Sequence, residues 1–109
     1  MSNKTSVNEI LIRIQAAARE RDINLTYTNM KVYLKLLDYA KEYRNSIEVI
    51  NDFYGMRFDV TTHVLARYCS VAPRTITESL HKLKDCGIIA YTTNKPNPST
   101  VKLYKRFYE

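Results

Sequence analysis

Cysteine is scarce in this chain: Cys69 and Cys86 are the only two among 109 residues, and they form no C-x-x-C pair. That excludes a disulfide framework and the usual spacing of a structural zinc site. His63, Cys69, His81 and Cys86 are of ligand type, but they follow one another at six, twelve and five residues, so no metal is expected. With only two glycines there is no Gly-rich loop to cradle a phosphate. A nucleophile elbow is missing as well, and the scattered carboxylates read as solvated helix faces. Neither an enzyme nor a cofactor is expected. No apolar run approaches the length of a membrane span, and the N-terminus does not resemble a signal peptide. The reading is a cytoplasmic protein with no membrane partner.

What the chain does have is positive charge, unevenly placed. Its formal charge is +6. Residues 1–56 hold eight Lys/Arg against seven Asp/Glu, and residues 57–109 hold nine against four, so +1 and +5. An acidic partner is favoured, and nucleic acid is favoured above a membrane surface. Nine tyrosines are many for this length. They read as core-edge residues whose hydroxyls reach water, with a minority available to a dimer interface.

Apolar residues Val7, Ile10, Leu11, Ile14, Ala17 and Ala18 make a helical stripe running to about Arg21, from which Ile12 departs. Thr26 or Thr28 is placed to cap a second helix through Val32, Leu36, Leu37, Tyr39, Ala40 and Tyr43. Ser46 then heads a predicted shorter helix holding Ile47, Val49, Ile50, Phe53 and Tyr54, which Gly55 stops. Arg57 to Val60 reads as a small strand with Phe58 and Val60 inward. After Gly87 the pattern becomes extended: Ile88, Ile89, Tyr91, Thr92 and Thr93 are strand formers. Turn formers crowd Asn94 to Ser99, and Val101, Leu103 and the run to Phe107 alternate. This predicts a β-hairpin with a loop of six to seven residues.

Thr61 to Gly87 organises the rest. Thr61 caps a helix bearing Val64, Leu65 and Tyr68, and Cys69-Ser70-Val71 makes a tight turn. Pro73 stands in the first turn of the next helix, where its missing N–H leaves nothing unpaired. Ile76, Leu80 and Leu83 form one face, and Gly87 ends the helix. The opposite face carries Arg74, Thr77, Glu78, His81 and Lys84. A helix anchored by one stripe and polar on the other suits reading of a DNA major groove.

Between Thr61 and Tyr91 the chain resembles the winged helix-turn-helix family. Leu65-Ala66 is similar to its Leu-Ala pair, Val71 to its turn hydrophobe, and Pro73-Arg74-Thr75-Ile76 to the start of its recognition helix. Cys86-Gly87-Ile88-Ile89 is similar to its approach to the first wing strand. Two residues depart from the pattern: Ser70 stands where glycine is common, and Ala72 stands where Ser or Thr caps. The fold implied is mostly α with a small β-hairpin, a winged helix-turn-helix over 28–109 preceded by an N-terminal helical extension over 1–27.

The resemblance implies sequence-specific binding of double-stranded DNA, foremost by a transcriptional regulator. Residues 73–85 would enter the major groove and a wing at about 94–100 would lie near phosphates or the minor groove. Arg74 is the candidate for a bidentate guanine contact. Thr75, Thr77, Glu78 and His81 are candidates for base or phosphate contacts, and Ser70, Arg67 and Lys82 flank the helix. Lys95 and Lys102 are the wing candidates. A single recognition helix covers a short half-site, so a homodimer through the N-terminal helices is expected. The alternatives are a replication-origin or plasmid/phage maintenance factor with the same fold, and a winged-helix protein-interaction module that does not bind DNA.

Overall fold

The structure, a computed structural model, describes residues 5–94 and 97–109. The first helix, α1 (Val7–Glu20), begins at Ser6, whose hydroxyl accepts the Glu9 N–H. Ile10, Ile14 and Ala18 are buried on one face, and they belong to the same core as the rest of the chain. In α2 (Tyr27–Glu42) the cap is Thr26, in a reciprocal capping box with Asn29. Asn29 also donates from its amide to the Ser79 hydroxyl, at 3.0 Å and buried. One side chain thus both starts α2 and ties it to the helix that holds Ser79.

The segment 46–54 is not the helix that its apolar spacing predicts. Ser46 closes α2, its hydroxyl and N–H both donating to the Tyr43 carbonyl. A three-residue strand follows, β1 (Val49–Asn51), in which Val49 alone is buried. It turns through Asp52, whose carboxylate accepts the Tyr54 and Gly55 N–H groups at 2.8 and 3.0 Å. The Tyr54 bond first, then that of Gly55 and the charge of Lys102, hold this carboxyl below its ordinary range. Local side-chain acceptance of this kind makes Asp a turn residue, and the β-branched Ile47, Val49 and Ile50 suit extended backbone. Gly55 therefore stops no helix. It opens β2 (Gly55–Val60), paired with Tyr104.

β2 runs as expected, with Phe58 and Val60 buried. It leads into α3 (Thr62–Cys69), capped by Thr61, whose hydroxyl accepts the Val64 N–H. Ser70 takes left-handed backbone (φ 57°, ψ 43°), and the Val71 N–H returns to the Ala66 carbonyl. This is a conformation that glycine adopts without strain, taken here by serine. A left-handed L-residue costs about 1–2 kcal/mol, part of which a glycine returns as unfolded-state entropy. Ser70→Gly is therefore expected to stabilise the fold by about 0.5–1 kcal/mol, raising Tm by roughly 2–8 °C. Thermal melts of the two proteins check this, and a lower Tm in the variant contradicts it.

α4 (Pro73–Asp85) buries Ile76, Ser79, Leu80 and Leu83, and Ala72 supplies no side-chain cap. Its C-terminal end is held by two arginines. Arg21 donates to the Cys86 carbonyl at 2.7 Å, and Arg106 to the Gly87 carbonyl at 3.2 Å. Gly87 is left-handed (φ 72°) and releases the chain into β3 (Ile89–Asn94). β4 (Asn97–Tyr104) returns antiparallel, with a register shift between Thr92 and Asn94. Since Asn94 pairs with Asn97, strand pairing takes up most of the predicted six-to-seven-residue loop. Lys95 lies outside the described residues. The expected continuation of alternation past Tyr104 is instead a short helix, α5 (Lys105–Tyr108), with Phe107 buried.

The four strands form one antiparallel sheet in the order β1-β2-β4-β3. The fold is therefore mixed α/β, with five helices and a four-stranded sheet among the described residues, rather than mostly α with a small hairpin. Met56, Phe58, Val60, Tyr91, Val101 and Leu103 point from the sheet into the core with the helices. The alternate residues Arg57, Asp59, Thr100 and Lys102 lie on the outer sheet face. No helix among the described residues is long and apolar enough to cross a membrane.

Candidate nucleic-acid interface

The buried stripe of α4 turns its polar residues outward. Among them, Arg74 has a side chain 90% exposed, and its Nε donates to Glu78 Oε1 at 3.0 Å; Glu78 is itself 66% exposed. An ion pair this exposed is worth at most about 1 kcal/mol. Its geometry matters more: the bond engages Nε and leaves the terminal guanidinium N–H groups available as donors. Thr77 donates its hydroxyl back to the Pro73 carbonyl at 3.1 Å. That bond fixes the rotamer and leaves the oxygen only as an acceptor.

Thr75, Glu78 and Lys82 line one groove of about 310 Å³, and its other wall is the start of α2. Thr26 and Thr28 stand there, beside the Asn29–Ser79 hydrogen bond. These two threonines belong to the α4 surface, and their place in it follows from a tertiary contact rather than from any pattern in the sequence. The cap role of Thr26 was readable; its neighbour across the groove was not. His81 is exposed, with its ring edge-on to Tyr91 at 5.4 Å, which links the middle of α4 to β3. Ser70 is exposed at the turn before the helix.

The remaining candidates are not brought together with that face. Arg67 borders a different groove, of about 500 Å³, with Tyr39, Tyr43, Tyr68, Asp59 and Pro98. Lys102 lies on the outer sheet face, its ammonium 3.5 Å from Asp52 and 4.8 Å from the centre of the Tyr54 ring. Cys69 and Cys86 are both buried thiols, raised above the ordinary range chiefly by that burial. No group of three His, Cys, Asp or Glu side chains is placed to hold a metal among the described residues.

The uncapped start of α4 bears on its chemistry. Ala72 has no side-chain oxygen to accept the first-turn N–H groups, its carbonyl accepting only the Ile76 N–H, and Pro73 has no N–H of its own. The groups that follow sit at the positive end of the helix dipole beside an exposed guanidinium. Altogether this surface presents hydroxyls, a guanidinium and an imidazole on one element, with the Glu78 carboxylate beside Arg74.

No protein-family model and no curated protein sequence matches the chain. Solved structures do. The protein in "Structure of Rep-DNA complex" superposes with a TM-score of 0.67 at 17% identity, over 85% of this chain and 71% of that one. The "N-Terminal domain of DNA binding protein" superposes with a TM-score of 0.66 at 16% identity, over 96% of this chain and 85% of that one. At these identities the likeness establishes a shared fold.

Proposed function

We propose that this chain binds double-stranded DNA with sequence preference, α4 entering the major groove as the recognition helix, and that it acts as a dimeric transcriptional regulator without catalytic activity. The observation that carries this reading is Arg74, on the exposed face of α4, its Nε held by Glu78 and its terminal N–H groups free. A guanidinium so held fits the O6 and N7 acceptors of guanine, a contact worth about 1–3 kcal/mol of discrimination. Thr75, Thr77, His81 and Lys82, with Thr26 and Thr28 across the groove, supply further base or phosphate contacts. Ser70 and the first-turn N–H groups of α4 face the backbone, and the excess of five positive charges in residues 57–109 supplies sequence-independent attraction.

Both structural neighbours are described by the DNA they bind, one of them as a Rep–DNA complex. That second description favours, as the other reading, a replication-origin or plasmid/phage maintenance role through the same surface. The same DNA contacts serve either role.

The test is selection from a random-sequence duplex pool across a salt series. Enrichment of a short palindrome, with affinity falling steeply as salt rises, is the expected result. Salt-sensitive retention without enrichment removes the sequence preference and leaves an architectural role. Absence of binding at low salt removes DNA altogether and leaves a protein-interaction module.

A further inference from the structure

Exposed large apolar side chains are most concentrated at the β1–β2 hairpin, where Ile47 is 97% exposed, Phe53 86%, Tyr54 64% and Ile50 46%; Tyr27, Ile12, Val7, Val64 and Tyr43 are scattered over the helices and the end of α2. The Phe53 and Tyr54 rings meet edge to face with centroids 5.3 Å apart. Ile50 stands opposite Arg57, and Arg57 opposite Lys102, whose ammonium lies beneath Tyr54. Ile50 and Tyr54 therefore lie on the outer face of the sheet, where Ile47 lines a groove with Ile50 and Arg57, and Phe53 lines another with Tyr54 and the α5 residues Lys105 and Arg106. By contrast, the apolar stripe of α1 is spent on the core, leaving Val7 and Ile12 as its exposed large hydrophobics.

We infer that this face is a homodimer interface, in which two copies pack their β1–β2 hairpins about a two-fold axis. Three features point to a second copy of this chain rather than to another partner. The face carries mixed charge, Glu48, Asp52 and Asp59 standing among Arg57, Lys102, Lys105 and Arg106, so three carboxylates accompany four cations on a chain whose overall charge is +6. Mixed charge pairs with itself under two-fold symmetry and offers a polyanion little. The face also holds both halves of a knob and hole. Phe53 projects, and a groove of about 410 Å³ is lined by Ile47 and Ile50 and walled by Arg57 and Asp59. A two-fold axis lets each copy insert its aromatic ring into the other's groove. Finally, the area suffices: aromatics bury about 150–250 Å² each, so two of them with two isoleucines approach the roughly 800 Å² per partner of a standard interface once their polar rim is added. The buried stripes of α1 to α4 pack with the inner face of the sheet, so α4 stays available in the dimer.

This inference stands whether or not the chain binds DNA, and it is tested by sedimentation equilibrium of the full chain without DNA. Three variants are compared with the unsubstituted protein: Ile47→Glu, Phe53→Glu and Ile12→Glu. All three positions are exposed, so helical circular dichroism and Tm stay near those of the parent. The expected result is a dimer that Ile47→Glu and Phe53→Glu each weaken by ~30-fold or more, as loss of an interface hot spot does, and that Ile12→Glu leaves intact. A parent protein that stays monomeric at ~100 μM, far above the micromolar range of ordinary association, overturns the inference and leaves the face to a different partner. A dimer broken by Ile12→Glu but not by Phe53→Glu overturns it in favour of α1.

Discussion

Gly55→Ala is expected to destabilise the protein by about 3–5 kcal/mol, which is a large part of the stability of a domain this size. Gly55 pairs with Tyr104 at the start of β2, with φ at +156°. A Cβ there would overlap the Leu103 carbonyl oxygen and stand 2.9 Å from the Leu103 carbonyl carbon. These are backbone atoms of the neighbouring strand, so no side chain is available to swing aside. Relief requires β2 and β4 to part at this end. That loses ladder hydrogen bonds worth about 1 kcal/mol each and adds overpacking strain of about 1–3 kcal/mol. It also disturbs Leu103, which is fully buried, and the Lys105 N–H, which donates to the Tyr54 carbonyl. A Tm lower by roughly 15–30 °C follows. Gly87→Ala is the comparison. The atoms nearest its Cβ would be those of the Arg21 guanidinium, at 2.9–3.0 Å, the end of a flexible side chain that can shift at the expense of its bond to the Cys86 carbonyl. Its cost is mainly the left-handed backbone, about 1–2 kcal/mol. Denaturant titration of both variants measures the difference, and a Gly55→Ala loss under about 1 kcal/mol would show that the strand pair tolerates the overlap.

The contrast between Gly55 and Gly87 also marks where the sequence was legible. Gly87 was readable because its role is local: a helix ends there, and a left-handed residue ends helices. The stripe of Ile76, Leu80 and Leu83, the Thr61 cap and the Ser70 turn were readable for the same reason, each being a matter of neighbours along one chain segment. Gly55 was misread as a helix stop because what demands glycine there is the carbonyl of a residue 48 positions later (103 − 55). The segment before it was misread by a related error. Ile47, Ile50 and Tyr54 recur as a helix face does, and periodicity equates apolar with buried. Here those side chains face outward, and only Val49 is inside. A pattern cannot distinguish a stripe that meets the chain's own core from a patch left for another molecule. The surface of α4 shows both cases together. Its exposed face was legible from spacing, whereas Thr26 and Thr28 join it through the packing of α2 on α4, which includes the buried bond between Asn29 and Ser79.

Arg74→Ala is expected to weaken binding to the selected site by roughly 5–150-fold, the equivalent of 1–3 kcal/mol, while binding to unrelated duplex changes little. The helix itself should persist, because Arg74 is 90% exposed and its partner Glu78 is exposed as well. Two roles for the arginine are separable by salt. A base contact releases no phosphate counterion, so the slope of log affinity against log salt is unchanged in the variant. A phosphate contact lowers that slope by about one and weakens all sequences alike. Glu78→Gln sharpens the distinction. It removes the carboxylate beside the DNA, which strengthens unspecific binding, and it also loosens the hold on Arg74 Nε, which erodes preference for the selected site. A decline in the ratio of specific to unspecific affinity in both variants, with parallel salt slopes for Arg74→Ala and the parent, is the signature of a positioned guanine reader. An unchanged ratio in both would place sequence recognition elsewhere than at the N-terminal turns of α4.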